Sequence, residues 1–182
     1  MPDTAIYECR TELDNNTLIG HAAVYDTVVR LGNGTYEAIA PGAFDGALAD
    51  TETDVRALID HNSSLLLGRQ STGTLRLSTD EKGLVFEVDL PNTGYANDLR
   101  ELIERGDVTG ASFGFRPGQW DMESRSGNSV RVHTAVAGLR DVSPVTFPAY
   151  PQTDVSLTRE QHTINATTMA IRIRQSHMKG RI

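Results

Sequence analysis

Ser112 lies in Gly110-Ala111-Ser112-Phe113-Gly114, a match to the G-x-S-x-G pattern that often surrounds the nucleophile of a serine hydrolase. A serine hydroxyl attacks a carbonyl only when a base takes its proton, and the base works only when a third group orients it. Five histidines are available as that base: His21, His61, His133, His162 and His177. A lone histidine is more often a polar surface or core residue than a catalyst. His61 differs by position, because it closes the expected strand "VRALID" just before the polar stretch "NSS", where an imidazole would project from a strand end into a cleft. Asp141 interrupts the mostly apolar run "GLRDVSPVTFPAY". A carboxylate in that setting requires partners, since burying an unpaired charge is expensive. Ser112 as nucleophile, His61 as proton acceptor and Asp141 as orienter would make an acyl-transfer centre. Composition and periodicity do not by themselves bring the three side chains together.

The elements that must carry these residues exclude the fold that G-x-S-x-G usually advertises. A nucleophile elbow needs a strand before the serine and a helix after it. Here the order is reversed. "NTGYANDLRELIERGD" (92–107) predicts a helix, with Asn92 or Thr93 as cap, Gly106 as its end, Tyr95, Leu99, Leu102 and Ile103 at helical spacing, and a Glu101–Arg105 pair. "SFGFRPGQW" after the serine is extended, and Pro117 and Gly118 halt any helix. A second, shorter helix is expected over 41–50, burying Phe44, Ala47 and Leu48. Alternating apolar and polar residues predict strands at 17–26, 54–61, 73–80 and 83–91, the last two forming a hairpin turned at Lys82-Gly83. "GASFGFRP", "SVRVHTAVAG" and "LRDVSPVTF" add three more, with "GQWDMESRSGN" as a polar loop and Pro148 and Pro151 ending the last strand. Seven or so strands and two helices without βαβ alternation give an α+β fold, a mainly antiparallel barrel or curled sheet.

The 182 residues suit one compact domain, expected over 1–159, with a tail over 160–182. The tail from 161 carries Arg172, Arg174, Lys179 and Arg181 and no acid, so the net charge of −7 leaves −11 on the rest, 24 acids against the 13 bases that remain of 17. An acidic body argues against a nucleic-acid surface there and confines any such contact to the tail. The single cysteine, Cys9, excludes an internal disulfide and a cysteine-based zinc site, and reads as a half-buried strand thiol. No apolar run approaches the roughly 20 residues of a membrane span, and "MPDTAIYECRTELDNN" lacks the regions of a signal peptide. A cytoplasmic start is expected.

An ordered series of segments over residues 17–158 resembles the prohead (capsid maturation) proteases of tailed bacteriophages: "GHAAVYD", "EAIAPGAFDGAL", "VRALIDHNSSLLLGR", "GTLRLSTDEKGLVFEVDLPNT", "ELIERGDVTGASFGF" and "LRDVSPVTFPAYPQT". The resemblance implies a serine endopeptidase with a fold similar to herpesvirus assemblin, a seven-stranded β-barrel surrounded by helices. The family's histidine falls on His61 in "IDHN", its serine on Ser112 in "GASFGF" and its acid on Asp141 in "LRDVS". The family often has glutamate at this last position, so the shorter aspartate is a small departure. Assemblins place a second histidine third, which makes His133 the runner-up to Asp141. Oxyanion donors are implied in a loop shortly after the acid, where the backbone N–H groups of Ala149 and Tyr150 are the candidates, since Pro148 and Pro151 have none; backbone groups around Ser112 itself are the alternative. Arg69 in "LGR" and Arg116 are expected to make surface ion pairs.

No cofactor or metal is implied. The implied substrates are scaffold segments, the scaffolding region of the major capsid protein and the protease's own terminus, inside the assembling prohead in the host cytoplasm. Assemblin relatives gain activity by dimerising, and no homodimer interface is legible in this sequence. Two other classes are compatible with the bare residues: a non-catalytic scaffold or capsid-assembly domain, and an esterase or amidase for small substrates, because a triad specifies acyl transfer and leaves the acyl donor open.

Overall fold

The computed structural model describes residues 16–31, 34–148 and 152–157. Cys9, His162, His177 and the basic tail fall outside the described residues. In chain order the elements are β1 (Thr17–Val24), β2 (Val29–Arg30), β3 (Tyr36–Ile39), α1 (Asp45–Ala49), β4 (Arg56–Ile59), β5 (Asn62–Arg69), β6 (Leu75–Thr79) and β7 (Gly83–Asp89). Then follow α2 (Gly94–Arg105), β8 (Gly110–Pro117), β9 (Trp120–Arg125), β10 (Asn128–His133), β11 (Val136–Val145) and β12 (Asp154–Leu157). The strands make three four-stranded sheets, ordered β12-β1-β7-β6, β2-β3-β10-β9 and β5-β4-β11-β8. The α+β class and the predominance of antiparallel pairs agree with expectation. Of the two expected forms, barrel or curled sheet, the described residues are compatible with a curled sheet and show no barrel: the three sheets are open, and two of the pairings, β10 with β3 and β11 with β4, are parallel.

Several local readings are corrected. "GQWDMESRSGN" is not a loop but holds β9, an edge strand that returns through Ser126-Gly127, both at positive φ, into β10. "SVRVHTAVAG" is not one strand. It breaks at Thr134 and Ala135, whose N–H groups both reach Gln119 O, and its second half belongs to β11, continuous with "LRDVSPV". β2 and β3 were not foreseen, being too short and too polar to show alternation. β11 stops at Val145, yet a further strand, β12, follows the two prolines and pairs with β1. The hairpin from β6 to β7 turns on Asp80, whose carboxylate accepts from the N–H groups of Lys82 and Gly83 at 2.8 Å each.

α2 starts at Thr93 and ends at Gly106 in the left-handed conformation (φ 80°), where Gly106 N–H returns to Ile103 O and Leu102 O. Its buried stripe is Ala96 and Leu99, while Leu102 is exposed, and Arg105 pairs with Asp107 at 2.9 Å rather than with Glu101. α1 spans only Asp45–Ala49. It buries Phe44 and Ala47. No helix among the described residues is long and apolar enough to cross a membrane.

The core draws on all three sheets, with Leu18, Ile39, Phe44, Leu75, Leu84, Phe86, Val88, Leu99 and Val142 each 2% exposed or less. An aromatic chain runs through it. Phe44 meets Phe113 edge-on at 5.5 Å, Phe113 stacks on Phe115 at 5.1 Å, and Phe115 meets His133 edge-on at 5.1 Å. Phe113 and Phe115 are the alternate residues of β8, so this chain anchors the strand by one face and turns Ser112 and Gly114 to the other.

Candidate active site

The sheet β5-β4-β11-β8 carries all three candidate residues. β11 lies in the middle, with β8 and its Ser112 on one side and β4, which leads through Asp60 to His61, on the other. Ser143 of β11 is directly opposite Ser112, and Asp141 is opposite Gly114. Directly paired residues on antiparallel strands, and residues two apart on one strand, share a face. Ser112, Gly114, Asp141 and Ser143 therefore line one side of the sheet. Val142 and Phe113, paired between them, point into the core.

Asp141 reaches that face through a bulge. Leu139 pairs with Phe115 and Asp141 with Gly114, so Arg140 is an extra residue on β11. In a regular strand, Leu139 and Asp141, two residues apart, would point the same way. With the bulge, Leu139 enters the core and Asp141 turns to the opposite side. Gly114 completes the arrangement, because the Asp141 carboxylate lies over the glycine. A Cβ at 114 would overlap Asp141 Oδ1 more closely than real atoms approach.

His61 is not at the end of a strand before a polar turn, as its sequence context suggests. Ile59 pairs with Asn62, and Asp60-His61 is the two-residue connection between β4 and β5, while "NSS" already belongs to β5. Both connecting residues have positive φ, 47° and 56°. Two consecutive left-handed residues fit the tightest hairpin geometry, which ordinarily selects Asn-Gly or Asp-Gly. Asp60 holds the turn in place. Its N–H donates to Pro144 O at 3.1 Å, and its carboxylate accepts from Thr146 N–H at 2.8 Å and Thr146 Oγ at 3.1 Å. The turn is thus fastened to the end of β11.

From this turn, His61 Nδ1 lies 2.5 Å from Asp141 Oδ2. The histidine side chain is 41% exposed and the carboxylate 12%. The same Oδ2 accepts from Ser143 Oγ at 2.8 Å, and Ser143 is fully buried. With Nδ1 engaged by a carboxylate, the imidazole keeps Nε2 as its free proton acceptor. Among the described residues no hydrogen bond joins Ser112 Oγ to His61. Catalytic hydrogen bonds commonly tighten only when substrate is bound.

His133 lies elsewhere. It ends β10 in another sheet, 1% exposed, with Nε2 3.3 Å from Glu37 Oε2. The residue that meets His61 is Asp141. Arg69 pairs with Asp54, as an ion pair was expected to do, and Arg116 donates to Ala137 O at 3.0 Å. Ala149 and Tyr150 are outside the described residues. The preceding Pro148 packs where a Cβ on Gly110 would stand, 2.8 Å from its Cγ, so the chain after β11 folds back against the start of β8. Sequence reasoning missed Ser143 and Asp60. Each had a signal: Ser143 is two residues from Asp141 in a strand, hence on its face, and Asp60 adjoins His61.

An open mixed sheet with a serine and an aspartate on neighbouring strands, and a histidine in the turn that ends the next strand, defines a candidate serine-hydrolase site. A family model described as caudovirus prohead serine protease matches residues 5–168, and the chain belongs to that family. Membership implies a serine peptidase and supports a function in capsid maturation. No curated protein matches the chain.

Proposed function

We propose that the chain is a serine endopeptidase that cleaves scaffold and capsid-precursor segments during prohead maturation, with Ser112 as nucleophile, His61 as general base and Asp141 as orienter. The observation that carries this reading is the 2.5 Å contact from His61 Nδ1 to Asp141 Oδ2, made across the strand that neighbours Ser112. β8 and β4 stand two strand spacings apart, roughly 10 Å. Histidine and serine would close that gap by leaning over β11 from opposite sides when a peptide occupies the site.

Ser112 Oγ attacks the scissile carbonyl as its proton passes to His61 Nε2. Asp141 stabilises the imidazolium, which then protonates the leaving amine. Water, deprotonated by the same imidazole, hydrolyses the acyl-enzyme. For the oxyanion we propose the N–H groups of Ala149 and Tyr150, in the segment that follows Thr146, which Asp60 ties to the His61 turn. Removing scaffold segments would strip mass and contacts from the prohead interior and make maturation irreversible.

The test is Ser112→Ala co-expressed with the capsid and scaffold chains. Hydrolysis falls roughly 10⁴–10⁶-fold while proheads still assemble. Cleavage at the wild-type rate would refute the assignment. Turnover of a small nitrophenyl ester by the wild type, without cut capsid or scaffold chains, would instead indicate a small-substrate esterase.

A further inference from the structure

We propose that Ser143 is a positioning residue of the site, a buried hydroxyl that fixes the Asp141 carboxylate so that Oδ2 faces His61; the inference rests on the catalytic reading of Ser112, His61 and Asp141. Ser143 has no exposed surface. A hydroxyl removed from water destabilises unless it is hydrogen-bonded. Its bond goes to Asp141 Oδ2 at 2.8 Å, the same oxygen that meets His61 Nδ1. Among the described residues, these are the two side-chain donors to that carboxylate. Oδ1 lies over Gly114. The carboxylate is therefore seated over the space that Gly114 leaves open, and the Ser143 hydroxyl is the contact from its own strand that fixes its rotation about Cβ–Cγ.

The position of Ser143 explains why a hydroxyl is needed there. It is two residues from Asp141 and directly opposite Ser112, so it fills the floor of the site between the acid and the nucleophile. An apolar residue of the same size would fill that space equally well and leave Oδ2 with His61 alone. Bulged strands allow their side chains unusual directions, and Arg140 is the extra residue immediately before Asp141. Ser143 anchors the acid from the regular, fully paired side of that bulge.

The test measures labelling of Ser112 by a fluorophosphonate, a reaction that needs no knowledge of cleavage preference. Ser112 Oγ forms a bond to phosphorus, the P–F bond breaks, fluoride leaves, and the serine proton passes to His61. Ser143→Ala, Ser143→Thr and Ser143→Val are compared. Thr and Val share shape and hence any packing penalty, and differ in the hydroxyl. The expected result is that the maximal labelling rate falls about 10–100-fold in the Ala and Val variants, with an unchanged half-saturating probe concentration and at least tenfold recovery in Thr. In an Asp141→Ala background, Ser143→Ala produces no further loss.

Equal rates for Thr and Val, wild-type labelling by the Ala variant, or a Ser143→Ala loss undiminished in the Asp141→Ala background would each overturn the proposal. If Ala does not fold, the Thr–Val comparison still decides. A Ser112→Ala control that takes up probe at the wild-type rate, with the adduct mapped elsewhere, overturns the catalytic reading itself. Labelling at Ser112 that is indifferent to residue 143 overturns only the role of Ser143.

Discussion

The turn that carries His61 makes a prediction about stability that runs against the usual effect of glycine. Residues 60 and 61 have φ of 47° and 56°. For a residue with a Cβ the left-handed region costs about 1–2 kcal/mol, and glycine enters it freely. His61→Gly and His61→Ala both remove the contact to Asp141, so their difference isolates the backbone of the turn. Glycine relieves about 1–2 kcal/mol of strain in the folded chain and forfeits about 0.4–1 kcal/mol through the larger freedom of the unfolded chain. The net, about 0–1.6 kcal/mol in favour of glycine with a midpoint of about 0.8, corresponds at that midpoint to roughly 2–3 °C in melting temperature for a chain of this length.

Both variants should be inactive in prohead processing, and differential scanning calorimetry at one pH and scan rate should place the Gly variant above the Ala variant. A Gly variant melting at or below the Ala variant would refute the claim that the histidine sits in a conformation unfavourable to it. Confirmation would mean that this protein retains a strained turn for the side chain it presents, where glycine would fold better.

Gly114→Ala introduces a methyl group where Asp141 Oδ1 lies, so it should displace the carboxylate from His61 and lower the labelling rate of Ser112 by about 100-fold; an unaltered rate would show that the carboxylate's seat over residue 114 is immaterial. Elsewhere, His21 stands between Asp80 (2.9 Å) and Asp154 (3.0 Å), with Lys82 also on Asp154, and ties β12 to β1. Burial opposes charging of His21, but its hydrogen bonds to Asp154 and Asp80 outweigh it and raise its titration above the ordinary imidazole value. Burial likewise opposes charging of Asp154 and Asp80, yet their bonds from His21 hold both below the usual carboxylate range. The His21 contribution is complete below about pH 6.5 and is lost as pH rises through its raised value, whereas the carboxylate contributions vanish only in acid. Hydrogen exchange of the Leu18, Ile19 and Gly20 amides should therefore be slower at pH 6 than at pH 8.5 after correction for the intrinsic rate, and His21→Gln should abolish the difference. A corrected difference that persists in His21→Gln would remove His21 from the account.

The parts of the fold legible in the sequence were those with local, regular causes. α2 had its helical spacing and terminal glycine, and β1, β6 and β7 had a rough alternation with a turn between the last two. The parts that were not legible depend on partners distant in the chain. β2 and β3 are too short to show a period, and β12 exists because β1 offers it an edge after two prolines have interrupted the chain. β9 is exposed on both faces, so its sequence carries no apolar alternation and resembles a polar loop. The expectation of a barrel rests on strand number and on the resemblance to assemblin, and strand number does not fix closure.

The site divides in the same way. Residue types and motif order singled out Ser112, His61 and Asp141, but alternation would have assigned Asp141 to the face of Leu139, toward the core. One inserted residue, Arg140, reverses that assignment, and nothing in the local pattern of "GLRDV" announces a bulge. The G-x-S-x-G match likewise has a physical basis different from the one its name suggests. In an elbow, glycines permit a sharp turn around the nucleophile. Here Ser112 lies within a straight, paired strand. Gly110 makes room for Pro148 and Thr153, and Gly114 makes room for the carboxylate that meets His61. The small residues are needed because other parts of the chain must come close to β8 on both sides of the serine. The same five-residue pattern can therefore arise on an unrelated fold through steric demands around a serine, without any shared turn.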